Sequence, residues 1–337
     1  VRHYCTYFDR NYLSRGLTLY QSLRAHDPSS RLYVCCFDDE TFTFLTKRAL
    51  PGLIAVAHTT LEAHDPQLAA TRASRSRVEY FFTSTPSWLR FVFDQYPDVE
   101  LLTYLDADFR LFASPEPVFA EMAQGSIAVV EHRYPPRLRH LEDHGRFNVG
   151  WLSFRRDAQG LACVDWWRER CIEWCYDRVE PDRYADQKYL DQWPRRFDKL
   201  VVLQHPGVNV APWNLPERPI RRDGSGLRIA GAPLICFHFH GLKHVAGPLY
   251  ESGLRSYGVK LDRTLKESIF DPYLGELSAY ESELALAGLG SGHATSQRYV
   301  RTGLGHLAQR ATRFVTVIRL LLSRAYLVAP RSTRAAR

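Results

Sequence analysis

Leu101-Leu102-Thr103-Tyr104-Leu105-Asp106-Ala107-Asp108 is a mostly apolar run that stops at two carboxylates. Such a run reads as a buried strand, and in extended backbone side chains two apart share a face. Asp106 and Asp108 are therefore expected to point the same way, within reach of one divalent cation. Two carboxylates so placed repel each other unless a cation or hydrogen bonds offset the charge. In open α/β sheets, ligands sit beyond the carboxyl ends of strands, which is where this pair falls. A bare Asp-x-Asp is common in turns; its place directly after a strand singles this one out. An aspartyl nucleophile of a phosphatase-type hydrolase would use the same letters. That signature wants Thr or Val where Phe109 and Arg110 follow here.

Outward from this strand, short apolar runs alternate with helical patterns. His3–Tyr7, Leu32–Phe37, Leu53–Ala57, Leu101–Leu105 and Ile127–Val130 read as strands of a mostly parallel sheet. Leu13, Leu17, Tyr20 and Leu23 mark one helix face, and residues 74–96 predict a helix broken near Pro86. This alternation is the pattern of an α/β sheet with helices on both faces. Later segments predict a strand at Val149–Phe154, a Trp-rich helix at about 160–177, and a closing strand at Leu234–His240. Residues 205–233 read as loop, and beyond about 250 the pattern is helical without strands. The expected division is a nucleotide-binding domain over 1–250 and a basic helical extension over 251–337.

Charge supports that division. Of 44 basic residues, nine arginines lie beyond Glu283, where no acidic residue remains, so residues 1–283 hold 35 basic against 37 acidic, a net −2. A near-neutral body argues against nucleic acid as a partner and assigns any anionic partner to the tail. There, Leu304, Leu307, Phe314, Val315, Val317, Ile318, Leu321 and Leu322 alternate with Arg310, Arg313, Arg319 and Arg324. That tail suits either a helix packed on the body or a peripheral membrane contact. Seven scattered cysteines give no disulfide framework, and Cys171 and Cys175 read as core. The first strand is expected by His3, which leaves no room for a signal peptide, and no run of 18 apolar residues occurs. A cytoplasmic setting follows from that reading.

Two further groups of residues carry chemistry. In Cys236-Phe237-His238-Phe239-His240-Gly241-Leu242-Lys243, His238 and His240 share a strand face. An imidazole joining two carboxylates favours Mn²⁺ over an all-oxygen ion such as Ca²⁺, and Lys243 is placed to meet an anionic leaving group. The plain alternative is two histidines bonded to backbone at a strand end. The other group is Asn148-Val149-Gly150, Asp186-Gln187 and the loop from Pro206 to Asn214, whose amides and carboxylate suit sugar hydroxyls. Singly, Asn148 reads as turn chemistry and Asp186 as a helix N-cap.

Taken in order, these motifs give a family resemblance. The chain resembles the glycogenin-like and lipopolysaccharide-galactosyltransferase-like enzymes, retaining glycosyltransferases of the GT-A fold. The likeness spans about residues 3–245 and rests on Gln21-Ser22-Leu23-Arg24, Tyr104-Leu105-Asp106-Ala107-Asp108, Asn148-Val149-Gly150, Asp186-Gln187 and a closing His-x-x-Gly with lysine. It implies Mn²⁺ (or Mg²⁺) held by Asp106, Asp108 and His238 against the diphosphate of a nucleotide sugar. Asn148, Asp186 and Gln187 would contact the donor sugar, and Thr6, Tyr7, Asp9, Tyr12 and Asp38 the base and ribose. The acceptor does not carry over from the resemblance; a hydroxyl of a cell-envelope glycan or lipid is expected because it would suit a tail that meets the membrane. The chain also departs from the pattern. One residue separates Gly241 from Lys243 and the usual Pro-Trp is missing, which leaves His238 and His240 as alternative ligands. Thr85-Pro86-Ser87 stands where an arginine is usual, and Arg77 or Arg72 is the expected substitute.

Two other classes compete. A nucleotidyltransferase would share the sheet, but Phe8-Asp9-Arg10-Asn11-Tyr12 lacks the Gly-rich loop such enzymes carry. A non-catalytic nucleotide-sugar-binding module would tolerate loss of Asp106. Gly-x-Ser-x-Gly and Gly-rich Lys-Ser or Lys-Thr loops do not occur.

Overall fold

Leu101–Leu105 forms a strand at the centre of a seven-stranded sheet in a computed structural model that describes residues 1–289 and 326–329. The sheet strands are β1 (His3–Phe8), β2 (Arg31–Cys36), β3 (Leu53–Ala57), β4 (Leu101–Leu105), β6 (Ile127–Glu131), β7 (Phe147–Arg155) and β8 (Leu200–Val202), with β5 (Phe109–Leu111) set apart from them. Their order is β3-β2-β1-β4-β7-β6-β8. All run parallel except β7, which is antiparallel to both β4 and β6. This mixed, mostly parallel sheet between helical layers is the α/β arrangement that the alternation of strand and helix patterns predicts.

The helices are α1 (Leu13–His26), α2 (Asp39–Arg48), α3 (His58–His64), α4 (Pro66–Thr71), α5 (Arg77–Gln95), α6 (Glu116–Met122), α7 (Ala158–Glu173), α8 (Trp193–Arg196) and α9 (Asp271–Leu286). Strand alternation sorts the core into two layers. Cys5, Tyr33, Cys35, Leu102 and Tyr104 pack with Trp88 and Val92 of α5 and Trp167 of α7. Tyr4, Leu32, Val34 and Leu105 pack with Leu13 and Leu17 of α1 and Leu45 of α2 on the other face. Burying a side chain as large as Trp88 or Trp167 contributes about 2–3 kcal/mol each. All seven cysteines are free and buried, Cys171 and Cys175 among them, as core packing predicts.

Several expectations are corrected. Helix α5 is not broken at Pro86 but runs through it. It opens on a capping box between Ser76 and Glu79, and the hydroxyls of Thr83 and Ser84 donate to carbonyls one turn back. Burial of Trp88, Leu89, Phe91, Val92 and Phe93 then outweighs the one backbone hydrogen bond a proline forfeits. Residues 205–233 are not all loop. They contain β9 (Ile220–Asp223), β10 (Gly226–Ile229) and β11 (Ala232–Pro233), a small antiparallel sheet. The β9–β10 hairpin turns on Gly224-Ser225, and the Asp223 carboxylate accepts from the Ser225 N–H and hydroxyl.

The closing strand is shorter than expected, β12 (Cys236–His238), and pairs with β5. Strands also continue past it. β13 (Lys243–Ala246), β14 (Leu249–Glu251) and β15 (Tyr326–Val328) form a three-stranded antiparallel sheet, although no strand was expected beyond 250. Leu327 is fully buried in a third cluster with Phe237, Phe239, Tyr273, Leu274 and Leu277. The apolar and basic residues 304–324 proposed for the membrane contact lie outside the described residues. Among the described residues, no helix is long and apolar enough to cross a membrane.

Candidate functional site

The site begins where β4 ends. After Asp108 the chain enters β5 at once, and β5 pairs antiparallel with β12 so that Phe109 faces His238. The Phe239 N–H donates to the Asp108 carbonyl at 2.9 Å, closing the ribbon. His238 is thereby delivered to the carboxylates: its Nε2 lies 3.1 Å from Asp108 Oδ1 and 3.7 Å from Asp106 Oδ2. The Phe109 ring stacks on the imidazole at 4.5 Å between centroids. Tyr104 donates its hydroxyl to Asp106 Oδ1 at 2.9 Å.

Ligand atoms of Asp106, Asp108 and His238 all lie within 4.8 Å of one another. Burial pushes the Asp108 carboxyl up, but the His238 charge and hydrogen bond, with Arg15 nearby, hold it well below the usual range. Burial likewise lowers the His238 pKa, and the two aspartates more than offset it. The donor set fits a divalent cation. Nδ1 of His238 is buried without a partner while Nε2 faces both carboxylates, so the ring presents a single nitrogen to the cluster. His240 is not among these three. It is exposed, with its ring 5.6 Å from that of His238 and 5.2 Å from that of Trp213. Lys243 opens β13, exposed on the rim.

The reversed direction of β7 explains why Asn148 belongs to the same place. Leu105 of β4 pairs with Trp151, so the start of β7 lies at the end of β4, and the Asp106 N–H donates to the Gly150 carbonyl at 3.2 Å. Asn148 Oδ1 accepts from the Gly150 N–H at 3.0 Å, while its Nδ2 meets Gln187 Oε1 at 3.2 Å and His132 Nε2 at 3.1 Å. Only glycine fits at 150. An added Cβ would stand 2.6 Å from Asn148 Oδ1 and 2.7 Å from the Phe109 ring.

Asp186 is no N-cap. Its carboxylate accepts from the Thr85 hydroxyl at 2.9 Å, and Thr85 in turn meets the Tyr7 hydroxyl at 3.1 Å. Burial, with the Asp106 charge assisting and the Thr85 hydrogen bond opposing, raises the Asp186 pKa to about 7. Of the two expected substitutes for the arginine, Arg72 pairs with Glu62, and Arg77 with Asp9 at 2.7 Å.

The remaining expected residues are scattered around this centre. Tyr7 joins it through Thr85. Thr6 is buried with its hydroxyl unpartnered. Asp9 accepts from the Asn11 backbone and side chain, and the Arg15 guanidinium lies 4.9 Å from the Tyr12 ring. Asp38 caps α2 by accepting from the Thr41 N–H and also accepts from the Arg10 N–H. Arg15, Thr85 and His132 were not singled out as site residues in the sequence, and Trp213 entered only as part of the loop from Pro206 to Asn214. Thr85 carried the one available signal, a hydroxyl at a position where an arginine was expected.

Comparison with known proteins gives relatives but no matching family model. The chain is 31% identical over 253 residues to YfnF of Bacillus subtilis (strain 168), an uncharacterized protein, covering 72% of this chain and 82% of YfnF. It belongs to the YfnF family. A second uncharacterized relative of the YfnF-family chain, YfnD of the same organism, is 28% identical over 292 residues, covering 85% and 91% of the two chains. Among solved structures, the YfnF-family fold is similar to the galactosyltransferase LgtC in complex with donor and acceptor sugar analogues. That match covers 71% of this chain and 87% of LgtC, at 16% identity and a TM-score of 0.46.

Proposed function

We propose that the protein is a metal-dependent, retaining glycosyltransferase. It transfers a hexose from a nucleoside-diphosphate sugar, with a uridine diphosphate donor favoured, to a hydroxyl of a cell-envelope glycan or lipid. Residues 1–250 form the catalytic unit and residues 251–337 its extension. The observation that carries this reading is the meeting of Asp106, Asp108 and His238 at the carboxyl end of the central strand. Asp106, Asp108 and His238 would hold Mn²⁺ (or Mg²⁺), which would supply a Lewis acid and a template for a leaving diphosphate.

The chain's own residues do the rest. Asn148 and Gln187 orient the sugar, and Lys243 brings positive charge to the rim where the diphosphate gains charge. Asp186 sits buried beside Asp106, at the position the resemblance gives to the donor sugar. Support for retention comes from the order of Asn148, Asp186 and Gln187 along the chain. Donor hydrolysis and transfer should stop in chelator and return with Mn²⁺ better than with Ca²⁺. NMR of the first-formed product should show an α-linkage from an α-configured donor. Full activity in EDTA would contradict the metal assignment, and a β-linked first product the retention. Donor binding without cleavage, indifferent to replacement of Asp106, would leave a binding module instead.

A further inference from the structure

His132 has no part in the reading above, yet its surroundings fix its chemistry. The Gly150 N–H donates to Asn148 Oδ1, which sets the orientation of that amide. Asn148 Nδ2 then faces His132 Nε2 at 3.1 Å. An amide nitrogen offers only hydrogens, so His132 Nε2 presents its lone pair and the ring proton lies on Nδ1. Nδ1 is 3.2 Å from the Arg146 carbonyl, which accepts that proton's hydrogen bond. The ring is held in place, stacked on Tyr134 at 4.7 Å and edge-on to Trp213 at 5.2 Å. Asn214 Nδ2 donates to the His132 carbonyl at 3.2 Å.

The consequences run on to the sugar site. Both hydrogens of the Asn148 amide are committed, one to His132 and one to Gln187 Oε1. Gln187 Nε2 gives one of its own to the His144 carbonyl at 3.0 Å. One acceptor position on Asn148 Oδ1 and one N–H on Gln187 are left over. We propose that His132 is a positioning residue, whose Nε2 lone pair in the Nδ1–H tautomer helps the Gly150 N–H hold the Asn148 amide so that the Asn148–Gln187 pair offers one acceptor and one donor to hydroxyls of the donor sugar. This rests on the transferase reading. It makes the pair selective for a sugar that donates to Asn148 and accepts from Gln187.

Two measurements test it. Ring ¹⁵N NMR of the full chain should find His132 protonated on Nδ1, and protonation on Nε2 would overturn the proposal without any variant. Titrations in Mn²⁺ then compare UDP-sugars with uridine diphosphate alone for His132→Ala and His132→Gln. The alanine variant should bind the nucleotide sugar about tenfold more weakly, the loss of one hydrogen bond, with uridine diphosphate changed less than about twofold. Glutamine, whose carbonyl oxygen can accept the same amide hydrogen, should recover most of that loss. Equal weakening of both ligands marks a purely structural role and overturns the proposal, as does no weakening of either. A wild-type chain that binds neither ligand contradicts the transferase reading instead, and the tautomer measurement still decides the placement of Asn148.

Discussion

Thr85 is the hydroxyl that meets Asp186, and with no arginine there the carboxyl is left buried with a pKa of about 7. The folded protein thus holds this proton more tightly than the unfolded chain does. Its contribution to stability is full below about pH 4 and is lost as pH rises through about 7. At about 1.4 kcal/mol per pH unit the loss approaches roughly 4 kcal/mol by pH 8. The melting temperature should therefore fall between pH 5 and 8, and Asp186→Asn, neutral throughout, should flatten that fall. Parallel pH profiles for the two proteins would contradict it. Asp108→Asn should cut transfer at least about 100-fold, more than loss of an outer-shell partner does. It should cost only about 1–2 kcal/mol in denaturant titrations, for one lost hydrogen bond to His238. At this scale the meeting of Asp106 and Asp108 was legible, because an i, i+2 pair after a strand dictates its own geometry; the choice of His238 over His240 was not. Thr85 and His132 were not. Thr85 meets Asp186 across 101 residues, and His132 gains its meaning from Asn148 on another strand.

The elements show why the motifs converge. β4 and β3 fall on their predicted bounds, since buried parallel strands read as continuous apolar runs. The direction of β7 left no such trace, yet it alone carries Asn148 to the end of β4. Gly150 is the hinge of that arrangement. Gly150→Ala should cost about 1–3 kcal/mol by overpacking against Phe109 and Asn148. It should also weaken nucleotide-sugar binding, because Asn148 must move. Unchanged stability and binding by calorimetry would refute that account. Pro86 misled because helix breaking is a local rule, whereas the burial that holds α5 together comes from α7 and the sheet.

In the whole molecule, the end of the described chain returns to the body. β15 pairs with β14, and Leu327 is buried with residues from β12 and α9. Leu327→Ala should cost about 2–4 kcal/mol in chemical denaturation, as for other core truncations, and an unchanged midpoint would refute that packing. The central claim is that a divalent cation on Asp106, Asp108 and His238 joins the protein to a nucleotide sugar. Thermal denaturation with a panel of nucleoside-diphosphate sugars, with Mn²⁺ or with chelator, tests it most directly. A donor at 100 times its Kd stabilises the folded chain by about 2.7 kcal/mol. The melting temperature should rise with at least one uridine diphosphate sugar in Mn²⁺, and neither in chelator nor for Asp106→Asn. A rise of the same size in chelator, or none with any nucleotide sugar in Mn²⁺, would contradict the claim.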